Sequence, residues 1–317
     1  GDWLNVMEMQ NHSGDVSPTG SQMPRLLGLA QASKVYRNYK TKNRDKFSNN
    51  GNEIAWGTIG NASTSEGMFF ETINAAGVLQ VPMIISVWDD GYGISVSNKD
   101  QTTKQSISES LKGFQRSEKE AGFEILTVKG WDYLALIETY EYAARICRKD
   151  HIPVLIHVTE LTQPLGHSSS GSHERYKSSE RLAWEKEYDC IVQFKKWILS
   201  NENATGKPIC TLADLETIEI DSKNEVKRLA KLAWTEFLNP IKESLNECTL
   251  HLKNIASKSS KKSEILQIVN DLEKIREQVP EYILNLSEYI LYSLYVLMFL
   301  WALRLIMFSY QTLPTSV

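Results

Sequence analysis

Cysteine is scarce and scattered in this chain of 317 residues: Cys147, Cys190, Cys210 and Cys248 stand far apart and form no Cys-x-x-Cys pair. That spacing suggests neither a disulfide framework nor a zinc site, and with no secretory signal at the Gly1 end a reducing cytoplasm is the simplest compartment. An excess of positive charge is missing too. Lysine and arginine number 35 against 39 aspartates and glutamates, a formal charge of −4 with a pI near 6.0. The chain therefore lacks the basic footprint of a nucleic-acid binder, and no nucleic-acid partner is expected. Internal repeats are absent. So is an initiator methionine: the chain opens on Gly1-Asp2-Trp3-Leu4, and the natural amino terminus is expected upstream. What is present, 42% hydrophobic and 23% charged residues, is the balance of a globular protein with one large or two modest cores.

From Glu53 onward, apolar β-rich runs alternate with helical patterns. Residues 54–59, 83–87, 123–128 and 154–158 read as strands, and 66–80 and 132–148 as helices, with Asp132 as a helix cap. Such alternation predicts the α/β class, a parallel sheet covered by helices on both faces. Ligands of such sheets sit beyond the carboxyl ends of the strands, so the residues after Ile59, Val87, Val128 and Val158 are the ones to inspect.

After Ser178 the pattern turns to charged helix, at 179–199, 224–238 and 241–278, the last broken by the Ser/Lys-rich stretch 256–263. Three parts are expected: a ligand-binding domain over 1–238, a helical linker over 239–281, and an apolar segment over 282–317. Residues 289–310 approach the roughly 20 apolar residues of a bilayer crossing. A membrane anchor, a buried or interface helix, and a sequence end foreign to the natural protein remain open there.

Two of the strand-end loops carry chemistry. Gly60-Asn61-Ala62-Ser63 follows the first strand and precedes a helix, so its backbone N–H groups can face an anion at the helix's positive end. The second strand runs into Asp89-Asp90-Gly91-Tyr92, with residues 63–88, one helix plus one strand, between the two triplets. Both loops should meet at one sheet edge. Mg²⁺ bound to a diphosphate needs hard oxygen ligands and only one or two carboxylates. Asn61 Oδ1, an Asp90 carboxylate oxygen and the Tyr92 carbonyl would supply three. The plainer reading is that Asp89 and Asp90 cap a turn before Gly91.

Gly60-Asn61-Ala62 followed after 26 residues by Asp89-Asp90 resembles the thiamin-diphosphate motif, a Gly-Asp-Gly triplet with Asn-Asn about that far on. Ser65-Glu66-Gly67-Met68-Phe69-Phe70-Glu71, Asn74-Ala75-Ala76 and Asp90-Gly91-Tyr92-Gly93-Ile94-Ser95 narrow the resemblance to the α part of the thiamin-dependent 2-oxo acid dehydrogenases, the decarboxylating component of the pyruvate and branched-chain complexes. Here the acid and the amide have changed places, Asn at 61 and Asp at 90, while Asp89 adds a negative charge. Ser17-Pro18-Thr19-Gly20-Ser21-Gln22-Met23-Pro24 resembles a further segment of the family. It implies cofactor contacts at Ser17 and Thr19 and candidate K⁺ ligands at Ser21 and Gln22, against the plain alternative of a capped helix start. Gly166-His167-Ser168-Ser169-Ser170 resembles the family's phosphorylation loop, which assigns His167 to the cofactor's diphosphate and Ser168 to the regulatory position. His12, in Met9-Gln10-Asn11-His12-Ser13-Gly14, matches another loop near the active site. His151, His157, His173 and His251 have no match and read as structural or surface residues. The resemblance spans about Met9 to Leu238.

The resemblance implies the thiamin-diphosphate fold, thiamin diphosphate and Mg²⁺ as cofactors with K⁺ as a further candidate, a 2-oxo acid substrate, and acyl transfer to a lipoyl-bearing acyltransferase. It also implies a β-type subunit or domain, separate or continuous with this polypeptide, that carries an activating Glu with no counterpart here. The chain alone is then expected to be inactive. The alternative is a noncatalytic scaffold that keeps the fold. A transketolase-type transferase is disfavoured by the His167 loop and the 17–24 segment.

Overall fold

The computed structural model describes residues 18–274, apart from 41, 43, 168–170 and 204–205. His12, Ser17, Ser168 and the apolar segment from 282 onward lie outside the described residues. The chain divides into two compact units, one up to Ile209 and one from Cys210.

The first unit opens with α1 (Gln22–Asn38) and a single turn, α2 (Arg44–Phe47). β1 (Ala55–Gly60), α3 (Gly67–Leu79) and β2 (Met83–Trp88) follow. A small hairpin, β3 (Tyr92–Gly93) with β4 (Val96–Ser97), leads to the short α4 (Ile107–Ser110). β5 (Glu124–Lys129), α5 (Tyr133–Asp150) and β6 (Val154–Thr159) complete the sheet, and α6 (Ser179–Glu187) and α7 (Cys190–Ser200) end the unit. The four long strands are all parallel in the order β1-β2-β6-β5. The expected α/β architecture is present, and each expected strand lies within two residues of its observed bounds.

Period-two alternation sends successive strand residues to opposite faces. Met83, Ile85 and Val87 of β2 and Leu155 of β6 join Ile59 against one face. There α1 lays down Met23, Leu26 and Ala30, and α3 lays down Phe69, Ile73 and Ala76 at helical spacing. Ile84, Val154, Ile156 and Val158 point the other way, onto Ala143, Ile146 and Cys147 of α5. Each fully buried Ile or Phe of these layers contributes roughly 1.5–3 kcal/mol. Burial also pushes the Cys147 thiol up to about 12, which leaves it protonated and inert. The Asp132 carboxylate caps α5, accepting from Ala135 N at 3.1 Å.

Two expectations about the later helices are corrected. The single helix over 179–199 is two, because Asp189 turns the chain and caps α7 by accepting from Ile191 N (3.0 Å) and Val192 N (3.1 Å). The helix expected over 224–238 and the first part of the one expected over 241–278 are continuous as α8 (Leu212–Lys258), opened by a reciprocal Thr211–Asp214 capping box. The expected 238/239 boundary therefore falls inside a continuous helix, and the two compact units meet at 209/210. The Ser/Lys-rich stretch does interrupt the helix, at 259–261, after which 262–274 are helical again. No helix among the described residues is long and apolar enough to cross a membrane.

Candidate functional site

Because all four strands run the same way, their carboxyl ends share one edge, and backbone bonds stitch the loops together there. Asn61 N donates to Trp88 O (3.1 Å), Asp89 N to Val158 O (2.9 Å) and Leu161 N to Asp89 O (3.1 Å). The loop after β1 and the hairpin after β2 are in direct contact: a Cβ placed on Gly93 would lie 2.5 Å from Ala62 Cβ. Only glycine allows that approach. Gly91, at φ +87°, turns the chain between Asp90 and Tyr92.

Asn61, 6% exposed, donates through Nδ2 to the Tyr92 carbonyl at 3.1 Å and to Asn98 Oδ1 at 2.7 Å. Asp90 Oδ1 accepts from Tyr92 N at 3.1 Å. The Tyr92 backbone is thus the meeting point of both side chains. The first of these bonds brings the Asn61 carboxamide beside the Tyr92 carbonyl, with Nδ2 facing it. With the Asp90 carboxylate the donor set is three hard oxygens of one negative charge, which fits Mg²⁺ completed by phosphate oxygens and water. No group of three or more His, Cys, Asp or Glu gathers as a metal site among the described residues. Burial pushes the Asp90 carboxyl above the usual aspartate range, although Tyr92 N and the Lys177 ammonium pull it down.

The plain turn reading is realised at both aspartates: Asp89 Oδ1 accepts from Gly91 N at 2.8 Å, as Asp90 Oδ1 does from Tyr92 N. The Asp89 carboxylate also accepts from His157 Nε2 (2.9 Å) and from Asn98 Nδ2 (2.9 and 3.1 Å to its two oxygens). Burial opposes its charge, but these bonds outweigh it and hold the carboxyl below the usual aspartate range. His157, 1% exposed, leans on Ser108 Oγ through Nδ1 at 2.8 Å. The extra charge of Asp89 is therefore taken up by a buried histidine and an amide. His157, expected as a structural or surface residue, is buried and hydrogen-bonded to Asp89.

A second polar cluster supports the hairpin. Lys177 Nζ and Arg181 Nε both bind the buried Glu185 at 2.8 Å, and Arg181 Nη2 donates to Asp90 O at 2.7 Å. Their cationic groups lie 5.3 and 5.6 Å from the Tyr92 ring centroid. None of Asn98, Ser108, Lys177, Arg181 or Glu185 was singled out from the sequence. One signal was available: a histidine inside the apolar run Val154-Leu155-Ile156-His157-Val158 must find a partner once buried.

Gly60 ends β1, and Ala62 and Ser63 begin a 3₁₀ turn that leads into α3. Thr19 is exposed in the turn before α1, and Gly20 beside it packs on Glu66 at the start of α3, a Cβ there meeting Glu66 Cβ at 3.1 Å. The 18–21 turn thus lies next to the loop after β1. Ser21 occupies the N-cap position of α1 without a side-chain cap bond, so the plain reading of a capped helix start is not what this serine does. Gln22 lines a cleft between α1 and β1 with Met23, Leu26 and Trp56. His167 is partly buried, just after Gly166 at φ +68°.

A parallel α/β sheet with two loops interlocked at its carboxyl edge is the architecture of the thiamin-diphosphate-binding fold. Within it, this chain belongs to the dehydrogenase E1 component family, which matches residues 5–228. It is 27% identical to the pyruvate dehydrogenase E1 component subunit alpha of Rickettsia felis over 68% of this chain and 57% of that protein. It is 30% identical to the mitochondrial 2-oxoisovalerate dehydrogenase subunit alpha 2 of Arabidopsis thaliana, over 55% of this chain and 37% of that protein. With the mitochondrial pyruvate dehydrogenase E1 alpha subunit of Dictyostelium discoideum the identity is 25%, over 69% and 52%. The chain spans about half the length of these curated relatives.

Proposed function

We propose that this chain is the diphosphate- and Mg²⁺-binding half of a 2-oxo acid dehydrogenase, completed by a β-type subunit or domain that carries the activating Glu. The observation that carries the reading is the convergence of the Asn61 and Asp90 side chains on the Tyr92 backbone. Thiamin diphosphate, when bound, supplies the electron sink that decarboxylation of a 2-oxo acid requires. Asn61, Asp90 and the Tyr92 carbonyl would hold the Mg²⁺. The backbone of Gly60 to Ser63, near the positive end of the 13-residue α3, would face the diphosphate. Thr19 and Ser17 fit the same cofactor, Ser21 and Gln22 a K⁺ ion, and His167 and His12 the active-site face of the diphosphate. The acyl group would pass to a lipoyl-bearing acyltransferase, with the cytoplasm as the compartment.

Calorimetric titration of the chain with thiamin diphosphate, with and without Mg²⁺, tests this. Binding that requires Mg²⁺ is expected. Absence of metal-dependent binding would favour a noncatalytic scaffold instead.

A further inference from the structure

An amide ligand has a weakness that a carboxylate lacks. Either oxygen of a carboxylate can meet a cation, but only one end of a carboxamide can. If Asn61 turned its NH₂ group to the metal, the site would carry one ligand fewer, so something must select the rotamer. We propose that Asn98 is the positioning residue that does so, fixing Asn61 with Nδ2 inward and Oδ1 left for Mg²⁺. The proposal rests on the reading of this edge as a Mg²⁺-diphosphate site.

The selection follows from donors and acceptors alone. Asp89 already faces this network as an acceptor, its Oδ1 taking the Gly91 N–H at 2.8 Å. It accepts from His157 Nε2 at 2.9 Å, and His157 is braced in turn by Ser108 Oγ at 2.8 Å. Asn98 Nδ2 lies 2.9 and 3.1 Å from the two Asp89 oxygens. The opposite orientation would set Asn98 Oδ1 against a carboxylate, so the Asn98 carboxamide has one permitted orientation. Its Oδ1 consequently faces Asn61, 2.7 Å from Nδ2. A flipped Asn61 would set carbonyl oxygen against carbonyl oxygen there and again at Tyr92 O, now 3.1 Å from Nδ2. The chain Ser108–His157–Asp89–Asn98, buried at His157 and Asp89, thereby transmits one polarity to the ligand position. The charge that Asp89 brings to the loop acts as the reference from which the amides take their orientation.

The test is Mg²⁺ titrated calorimetrically into the full chain saturated with thiamin diphosphate, for the natural sequence, Asn98→Leu, Asn61→Asp and the double variant. Asn98→Leu is expected to weaken Mg²⁺ binding about tenfold, the scale of losing a group that orients a metal ligand. In the Asn61→Asp background, where no rotamer needs selecting and Asn98 Oδ1 would face a carboxylate, the same change is expected to cost nothing or to tighten binding. That background dependence separates orientation from general support of the fold, and Asn98→Ala repeats the comparison should the leucine variant not fold. No effect of Asn98→Leu on the natural chain, or an equal loss in both backgrounds, would overturn the proposal while the site reading stood. No Mg²⁺ binding by the unaltered chain would overturn both, and would be seen before any variant was made.

Discussion

Asp89 and Asp90 are adjacent in sequence and meet opposite fates. Asp89 turns inward to His157 and Asn98, which hold it ionised, whereas Asp90 turns to the hairpin, where burial makes its charge costly. A bound divalent ion would offset that cost, so the carboxylate of the pair that suits a ligand is the second. Replacement of Asp90 by Asn is expected to weaken Mg²⁺-dependent binding of thiamin diphosphate at least tenfold, read by calorimetry, while the melting temperature of the ligand-free chain holds or rises. At this scale the sequence was half legible. Residue type and spacing singled out Asn61, Asp90 and Tyr92, because metal chemistry restricts the donors. The network around Asp89 was hidden, because Asn98 reaches it, and Ser108 reaches its partner His157, from a connecting segment whose course no periodicity reveals.

Among the elements, the helices of the first unit are set by local signals: Asp132 and Asp189 cap their amino ends, and α5 stops where His151 enters the left-handed region at φ +56°. Burial holds the His151 imidazole below its ordinary value of 6.5, against the hydrogen bond of Nε2 with Gly51 O at 3.0 Å. The unfolded chain therefore takes up a proton at a higher pH than the folded one. Stability from this group is complete above pH 6.5 and is lost as pH falls toward the folded value. His151→Gln should flatten that decline, measured as melting temperature between about pH 5 and 7. In the second unit Pro240 sits inside α8, without the N–H that would bond to the Glu236 carbonyl. Pro240→Ala is expected to stabilise α8 by about 3 kcal/mol, seen as a higher melting temperature by circular dichroism. That proline is also why the sequence suggested two helices. A local helix breaker was read as a boundary, and the capping box at Thr211 with the long run of helix formers around it outweighs the break.

For the whole molecule, strand-helix alternation was enough to foresee a parallel sheet with its loops gathered at one edge, since covered parallel strands leave few other arrangements. The division into units was less legible, because the chain passes from one to the other through a short connection before Thr211 rather than through a distinctive linker. If the chain is one half of an active site, it should bind cofactor alone and turn over nothing. Carbon dioxide release from pyruvate or a branched 2-oxo acid is expected to be negligible with the purified chain and to appear on adding a β-type partner. Robust turnover without that partner would contradict the division of labour.

The backbone ties among Asn61, Trp88, Asp89, Val158 and Leu161 bear on how such a protein can drift. With the loop frame anchored to the strand ladder, an acid and an amide can exchange seats at its rim and the cradle keeps its shape. One residue inserted between Gly60 and Asn61 would shift those ties out of step at once. Lineages should therefore vary freely in which of the two seats holds the acid and hardly at all in the number of residues between them.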